Sequence, residues 1–163
     1  MENNKTQYTQ DLQNNMLLVI REFDAPLENV WRAWTESDLL EQWWAPKPWK
    51  AETKSMNFTE GGSWLYSMVG PEGERHWCRV DFKAIQKQQS FTVTNYFCDE
   101  HGVKNTDMPV MEWKNIFTSA GDKTRVNVEV KFGSKEDLDK IVAMGFKEGF
   151  SMALDNLDGV FAK

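Results

Sequence analysis

Two kinds of hydrophobic periodicity divide this chain, and their order constrains the fold more than any other feature. Between residues 49 and 132, apolar residues recur at every second position in short segments separated by turns. The segment RVNVEVKF, residues 125–132, is the clearest case, because its three valines alternate with polar residues. After residue 134 the apolar spacing changes to three and four. The chain therefore predicts a series of β-strands followed by a long helix.

The predicted strands are separated by short turns, one of them at Gly61-Gly62. Strands joined in this way pair antiparallel, and a sheet with one apolar face needs a cover. We therefore predict an α+β fold, a curved antiparallel sheet of about six to seven strands wrapped around a long C-terminal helix. The predicted strands are 16–23, 49–58, 63–69, 75–85, 90–98, 109–119 and 125–132.

Two short helices are predicted between the first strand and the rest of the sheet. The first covers 24–35, with Asp24 as its cap and Pro26 in its first turn. The second covers 37–44, with Ser37 as its cap, and the prolines that follow end it.

The closing helix begins with a cap at Ser134 and has Asp137 three residues later, a variant of the capping box. Gly145 and Gly149 interrupt its apolar stripe, and each glycine inside a helix costs about 1 kcal/mol relative to alanine. A break near Met144-Gly145 is therefore predicted.

Composition and charge exclude several classes of protein. The 163 residues fit one domain, predicted over 16–163, and the polar segment 1–15 is predicted to be a flexible arm. A net charge of −6 argues against binding to nucleic acid or to an anionic membrane. The N-terminus has no signal-peptide core, and no apolar run approaches the ~18 residues of a membrane span. A cytoplasmic location is expected.

Three segments closely resemble motifs of one protein family. They are REFDAPLENVWRAWTESDLLEQWWAPKPW, FTEGGSWLYSM and MGFKEGFSMALDNLDGVF. They resemble bacterial members of the family named for the activator of heat-shock protein ninety ATPase, within the START-like (SRPBCC) helix-grip superfamily. The resemblance covers 16–163. The chain departs from the family pattern at Asn57 and Thr59, where relatives commonly have an acidic residue and an arginine, and at Phe150, where they often have tryptophan.

The resemblance implies a cavity between the sheet and the long helix. Strand alternation selects the side chains that face it, and Trp43 and Trp44 lie at the corner beside the open end of the grip in this fold. The predicted ligand-binding residues are Trp43, Trp44, Trp64, Tyr66, Met68, Val80, Phe82, Phe91, Asn95, Trp113, Asn115, Phe146 and Phe150.

Alternatives stay open for these residues. The amides of Asn95 and Asn115 either orient a ligand or bond each other or a buried water. The aromatic side chains either surround a cavity or fill the space entirely. Of Trp43 and Trp44, one is expected to pack inward and the other to stand at the cavity mouth, although a docking patch is also consistent with two adjacent tryptophans.

The residues that could carry catalysis are few. Tyr66 is the best inward acid-base candidate, whereas His76 and His101 are expected to be solvated, near a turn and in a loop. Cys78 and Cys98 lie on neighbouring predicted strands, and the register that places the phenylalanines inward points the two thiols to different faces. Two reduced thiols are therefore predicted, with no zinc spacing, no metal and no cofactor.

Three functions follow from this reading. The first is a non-catalytic binding protein that holds a small hydrophobic or aromatic ligand. The second is a chaperone-activator-like module with a protein partner. The third is a cyclase or hydrolase-type enzyme acting on a hydrophobic substrate. The chain is expected to be a monomer or a homodimer.

Overall fold

A computed structural model describes residues 6–162, and it shows one antiparallel sheet of eight strands with helices on one face. The strand order across the sheet is β1-β2-β8-β7-β6-β5-β4-β3. No helix in this described range is both long enough and apolar enough to cross a membrane. The elements in chain order are β1 Gln7–Asp11, β2 Met16–Phe23, α1 Leu27–Thr35, α2 Ser37–Leu40, β3 Lys50–Met56, β4 Ser63–Val69, β5 Arg75–Gln86, β6 Ser90–Cys98, β7 Met111–Ala120, β8 Lys123–Phe132, α3 Lys135–Ala143 and α4 Phe146–Phe161.

The predicted helix-grip architecture is confirmed, and three strands have the predicted boundaries. These are β2, β4 and β6. Alternation also predicted the buried face of β8, where Val126, Val128 and Val130 are buried among exposed or half-buried neighbours. The buried face of the sheet, here called the inner face, packs against α1, α2, α3 and α4.

The main difference from the predicted fold is an eighth strand at the N-terminus. Gln7–Asp11 forms a strand that pairs with β2, within the segment predicted as a flexible arm. Its side chains are mostly exposed, and a polar edge strand has no apolar alternation to reveal it. The Tyr8 hydroxyl lies 2.7 Å from Ser151 Oγ and donates to the Lys147 carbonyl at 2.9 Å, which joins the strand to α4. Residues 1–5 of the predicted arm lie outside the described range.

The C-terminal helix is broken at the predicted place. Met144 caps the end of α3, and Gly145 follows with φ +96°, a left-handed conformation that favours glycine. The Ser134 hydroxyl accepts from the Asp137 N–H at 3.1 Å, as the capping motif predicts. Neither predicted cap of the short helices is observed, because Pro26 and Glu36 occupy the N-cap positions without side-chain bonds.

A buried cation that the sequence did not predict joins β2 to α4. Arg21 is only 2% exposed, and its guanidinium contacts the carboxylates of Asp155, at 2.9 Å, and Asp158. It also donates to Thr6 Oγ1 at 2.8 Å. This network attaches the C-terminal half of α4 to the sheet.

Candidate ligand cavity

A cavity of about 400 Å³ lies between the inner face of the sheet and the junction of α3 and α4. Strands β4 to β7 form its floor, and the segment after α2 forms one side. Two of its lining residues, His76 and Met144, are exposed and mark the open side. Its lining residues are Trp44, Pro46, Trp49, Tyr66, Met68, His76, Cys78, Asn95, Phe97, Met111, Trp113, Ile141, Met144, Gly145, Phe146, Gly149 and Phe150.

Aromatic rings dominate the inner end of this cavity. Trp113 is the central ring, and its centroid lies 5.5 Å from that of Phe150 and 5.9 Å from those of Phe146 and Trp44. The phenylalanine contacts are edge-to-face, a favoured geometry for aromatic pairs. Each ring therefore holds its neighbour in place, and the apolar wall is preorganised.

A hydrogen bond crosses the floor of the cavity. Trp44 Nε1 donates to the Tyr66 hydroxyl at 2.8 Å, and Tyr66 lies directly opposite Cys78 on the neighbouring strand β5. Burial raises the pKa of Tyr66 well above its ordinary value. Burial also raises the pKa of Cys78 to about 12. Both groups are therefore uncharged at neutral pH.

The Asn95 amide lines the cavity and has no hydrogen-bond partner in the described part of the chain, and neither does the buried indole N–H of Trp113, another lining residue. Asn95 lies on β6 between Val80 of β5 and Met111 of β7 and is 7% exposed. No hydrogen bond joins its amide to any residue in 6–162. The Asn115 amide instead donates to the Phe91 carbonyl at 3.5 Å, so the two asparagine amides do not bond each other.

The inner half of the grip is filled by side chains, and part of the predicted site lies there rather than at the cavity. Trp31 of α1 packs edge-on against Phe117 and Phe91, with centroids 5.1 and 5.7 Å apart. Only a void of about 30 Å³ is left there, bordered also by Trp44, Asn95 and Trp113. The residues predicted for the cavity that line this void instead are Trp64, Val80, Phe82, Phe91 and Asn115.

The two adjacent tryptophans have different environments. Trp43 is 1% exposed, and its indole N–H donates to the Ala33 carbonyl at 2.9 Å, so it anchors α1 to the segment after α2. It lines neither the cavity nor the void, and it is the member of the pair that packs inward. Trp44 lines both.

Two residues at the open side were not assigned to the site from the sequence. His76 lies on β5 and is exposed, and its ring centroid is 5.3 Å from that of Trp49. His76 shares the strand face of Cys78, so extending the alternation by two positions would have placed it at the cavity. Trp49 follows two prolines, and no periodicity indicated where its ring would lie.

The cavity lining lacks carboxylate, ammonium and guanidinium groups. None of its lining residues is Asp, Glu, Lys or Arg. Within residues 6–162, no group of three or more His, Cys, Asp or Glu side chains could hold a metal ion. Cys98 lies opposite Trp77 rather than Cys78, and both cysteines are free, as the predicted register requires.

The eight-stranded sheet, the broken C-terminal helix and the cavity between them together define a helix-grip domain. The chain belongs to the family described as activator of Hsp90 ATPase homolog 1-like protein, whose model matches residues 24–162. No curated protein sequence matches the chain.

Solved structures of bacterial proteins are similar over almost the whole chain. Protein Ms6760 from Mycobacterium smegmatis is 30% identical with a TM-score of 0.87, and the match covers 95% of each chain. A protein from Arthrobacter aurescens is 29% identical with a TM-score of 0.90, and the match covers 96% of this chain and 91% of that one. A protein from Staphylococcus epidermidis is 26% identical with a TM-score of 0.81, over 92% and 91% of the two chains.

Proposed function

We propose that this protein binds a small hydrophobic or aromatic molecule in the cavity between the sheet and the α3–α4 junction. The observation that carries the proposal is an apolar cavity of about 400 Å³ that contains an unpartnered amide, that of Asn95. Ligand sites typically have volumes of about 300–1,000 Å³, apolar walls and a few placed polar groups. The cavity has all three properties.

The composition of the walls supports a ligand rather than a packing defect. Three methionines, Met68, Met111 and Met144, line the cavity beside its aromatic rings. Methionine side chains are flexible and polarizable, so they adapt to ligands of different shape. Met144 is 56% exposed at the open side, where a ligand would enter.

The hydrogen bonds of Tyr66 favour binding over catalysis. Its hydroxyl accepts the indole N–H of Trp44, and its raised pKa keeps the phenol protonated at neutral pH. An effective general base needs a pKa near the working pH and an open path to the substrate. Tyr66 is therefore a residue of the cavity wall, and its hydrogen bond orients Trp44.

A protein-interaction role is the alternative, and the family description favours it because it names an ATPase activator. Stimulation of the ATPase of the chaperone by this chain, with no small molecule bound, would support the alternative. We place the binding function in the cytoplasm, and two free thiols are consistent with a reducing compartment.

Native mass spectrometry of the purified protein tests the proposal directly. A discrete extra mass that is released on denaturation is expected, and its mass gives the ligand class. The same spectrum distinguishes a monomer from a homodimer. A mass of the chain alone, unchanged after incubation with fatty acids, sterols and aromatic polyketides, would contradict the proposal.

A matched pair of glycine variants locates the bound molecule. Gly149 lines the cavity on α4, and a Cβ there would meet only Pro46 at 3.8 Å, so Gly149→Met places a side chain against the cavity. Gly159→Met adds the same side chain to the same helix at an exposed position with open space around it. The extra mass should be lost in the first variant and retained in the second.

A further inference from the structure

We infer that the cavity selects an uncharged aromatic molecule bearing one hydroxyl or carbonyl group, which hydrogen-bonds to the Asn95 amide. This inference rests on the proposed function and deepens it by naming the class of ligand. Three features support the inference: the unpartnered amide, the uncharged lining and the arrangement of the rings.

The first feature is the position of the amide. A primary amide offers two N–H donors and a carbonyl acceptor, and a buried polar group is costly unless it is hydrogen-bonded. Asn95 is 93% buried, by difference from its 7% exposure, and its neighbours across both ladders are apolar, Val80 and Met111. A ligand hydroxyl or carbonyl at this point would bond an amide that no residue of the described chain satisfies.

The second feature is the uncharged lining. The cavity contains no carboxylate, ammonium or guanidinium group, and its buried ionisable side chains, Tyr66 and Cys78, are uncharged at neutral pH. Burying an unpaired ion is far more costly than burying a neutral polar group. His76, the remaining ionisable lining residue, is exposed at the open side. A carboxylate therefore has no cationic partner at the depth of Asn95.

The third feature is the arrangement of the rings beside the amide. Trp44 and Trp113 line the cavity together with Asn95. The ring centroid of Phe150 lies 6.2 Å from that of Trp44 and 5.5 Å from that of Trp113. Aromatic pairs gain energy beyond their buried area when they meet edge-to-face or offset. A flat ring between these walls would present its polar substituent to Asn95.

Three probes of similar size test the contribution of the amide and the exclusion of an anion separately. They are naphthalene, 2-naphthol and 2-naphthoate, measured by equilibrium dialysis against the full chain at pH 7. One net hydrogen bond corresponds to about threefold to tenfold in affinity, so 2-naphthol should bind more tightly than naphthalene by that factor. The anion 2-naphthoate should bind at least about tenfold more weakly than 2-naphthol.

An asparagine variant assigns the preference to one residue. Asn95→Leu keeps the approximate volume and removes the amide, so it should bind naphthalene and 2-naphthol equally while still binding naphthalene. Asn127→Leu makes the same substitution on β8, whose residue 127 points away from the inner-face valines, and it should keep the wild-type preference. Circular dichroism of each variant verifies that it is folded.

A spectroscopic measurement on the wild-type chain does not depend on the folding of any variant. The side-chain amide resonances of Asn95 should shift when 2-naphthol is added, and shift much less with naphthalene.

The outcomes separate this inference from the proposed function. Equal affinity for naphthalene and 2-naphthol, a preference retained in Asn95→Leu, or tight binding of 2-naphthoate would overturn the inference and leave a general hydrophobic site in place. Failure of all three probes to bind, together with a native mass of the chain alone, would overturn both.

Discussion

Trp44 donates its indole N–H to the Tyr66 hydroxyl oxygen over 2.8 Å, and this bond joins the segment after α2 to the sheet. Tyr66 is fully buried and stacks on Trp64 with a centroid distance of 4.0 Å. The bond therefore holds a tryptophan that borders both the cavity and the inner void. The shape of the cavity depends on this contact as well as on the fold.

Replacing Trp44 by phenylalanine should lower the free energy of unfolding by about 1–3 kcal/mol, because the variant loses a buried hydrogen bond and part of a packed ring. Urea denaturation measures the change. Trp49→Phe is the matched control, since Trp49 is half-buried at the open side and its indole N–H bonds no residue of the described chain. Similar losses in both variants would show that the Trp44–Tyr66 bond contributes little.

Replacing Arg21 by methionine should destabilise the protein by about 1–3 kcal/mol. The loss is smaller than for a fully buried ion pair because Asp155 is 69% exposed and can be rehydrated. Arg32→Met removes an exposed pair with Glu36 on α1 and should destabilise the protein much less, because water screens an exposed ion pair. Denaturation midpoints of the two variants give the comparison, and equal effects would contradict a structural role for the buried cation.

The free energy of unfolding should fall in alkaline solution, because the buried thiols of Cys78 and Cys98 resist deprotonation in the folded protein. The ordinary thiol pKa is 9.0, and burial raises it to about 12 for Cys78 and about 11 for Cys98. A raised pKa in the folded state stabilises the protein fully below pH 9, and this contribution is lost as the pH rises towards 11 and 12. Unfolding free energies at pH 7, 9 and 10.5 should decline less steeply in Cys78→Ala than in wild type. An identical slope in both proteins would argue against a deeply buried Cys78 thiol.

The two glycines of the interrupted helix should respond to alanine with opposite signs. Gly149→Ala should raise the free energy of unfolding by about 0.5–1 kcal/mol. The φ angle of Gly149 is not positive, and the added Cβ would make only an ordinary contact with Pro46. Gly145→Ala should lower it by about 1–2 kcal/mol, because φ is +96° at the junction of α3 and α4. Thermal denaturation of both variants measures the signs, and stabilisation by Gly145→Ala would show that the junction relaxes into a continuous helix.

The strand pattern of this protein could be predicted because it is local. Apolar residues at every second position show which face of a strand is buried. The boundaries of β2, β4 and β6 and the buried valines of β8 therefore follow from neighbouring residues alone. The break at Met144-Gly145 is equally local, since the glycine alone permits the left-handed turn. β1 escaped prediction because its strand is held by contacts with β2 and by the bonds of Tyr8 to α4.

The sequence by itself determined the order of the elements, the buried face of most strands and the family resemblance. Only the tertiary structure decided how the inner face is divided between the cavity and a filled core. Phe91 and Asn95 share a strand face, yet Phe91 is covered by Trp31 of α1 while Asn95 meets the open cavity. Alternation specifies the side of the sheet on which a residue lies. The size of the space above it depends on side chains from distant segments that meet only after folding.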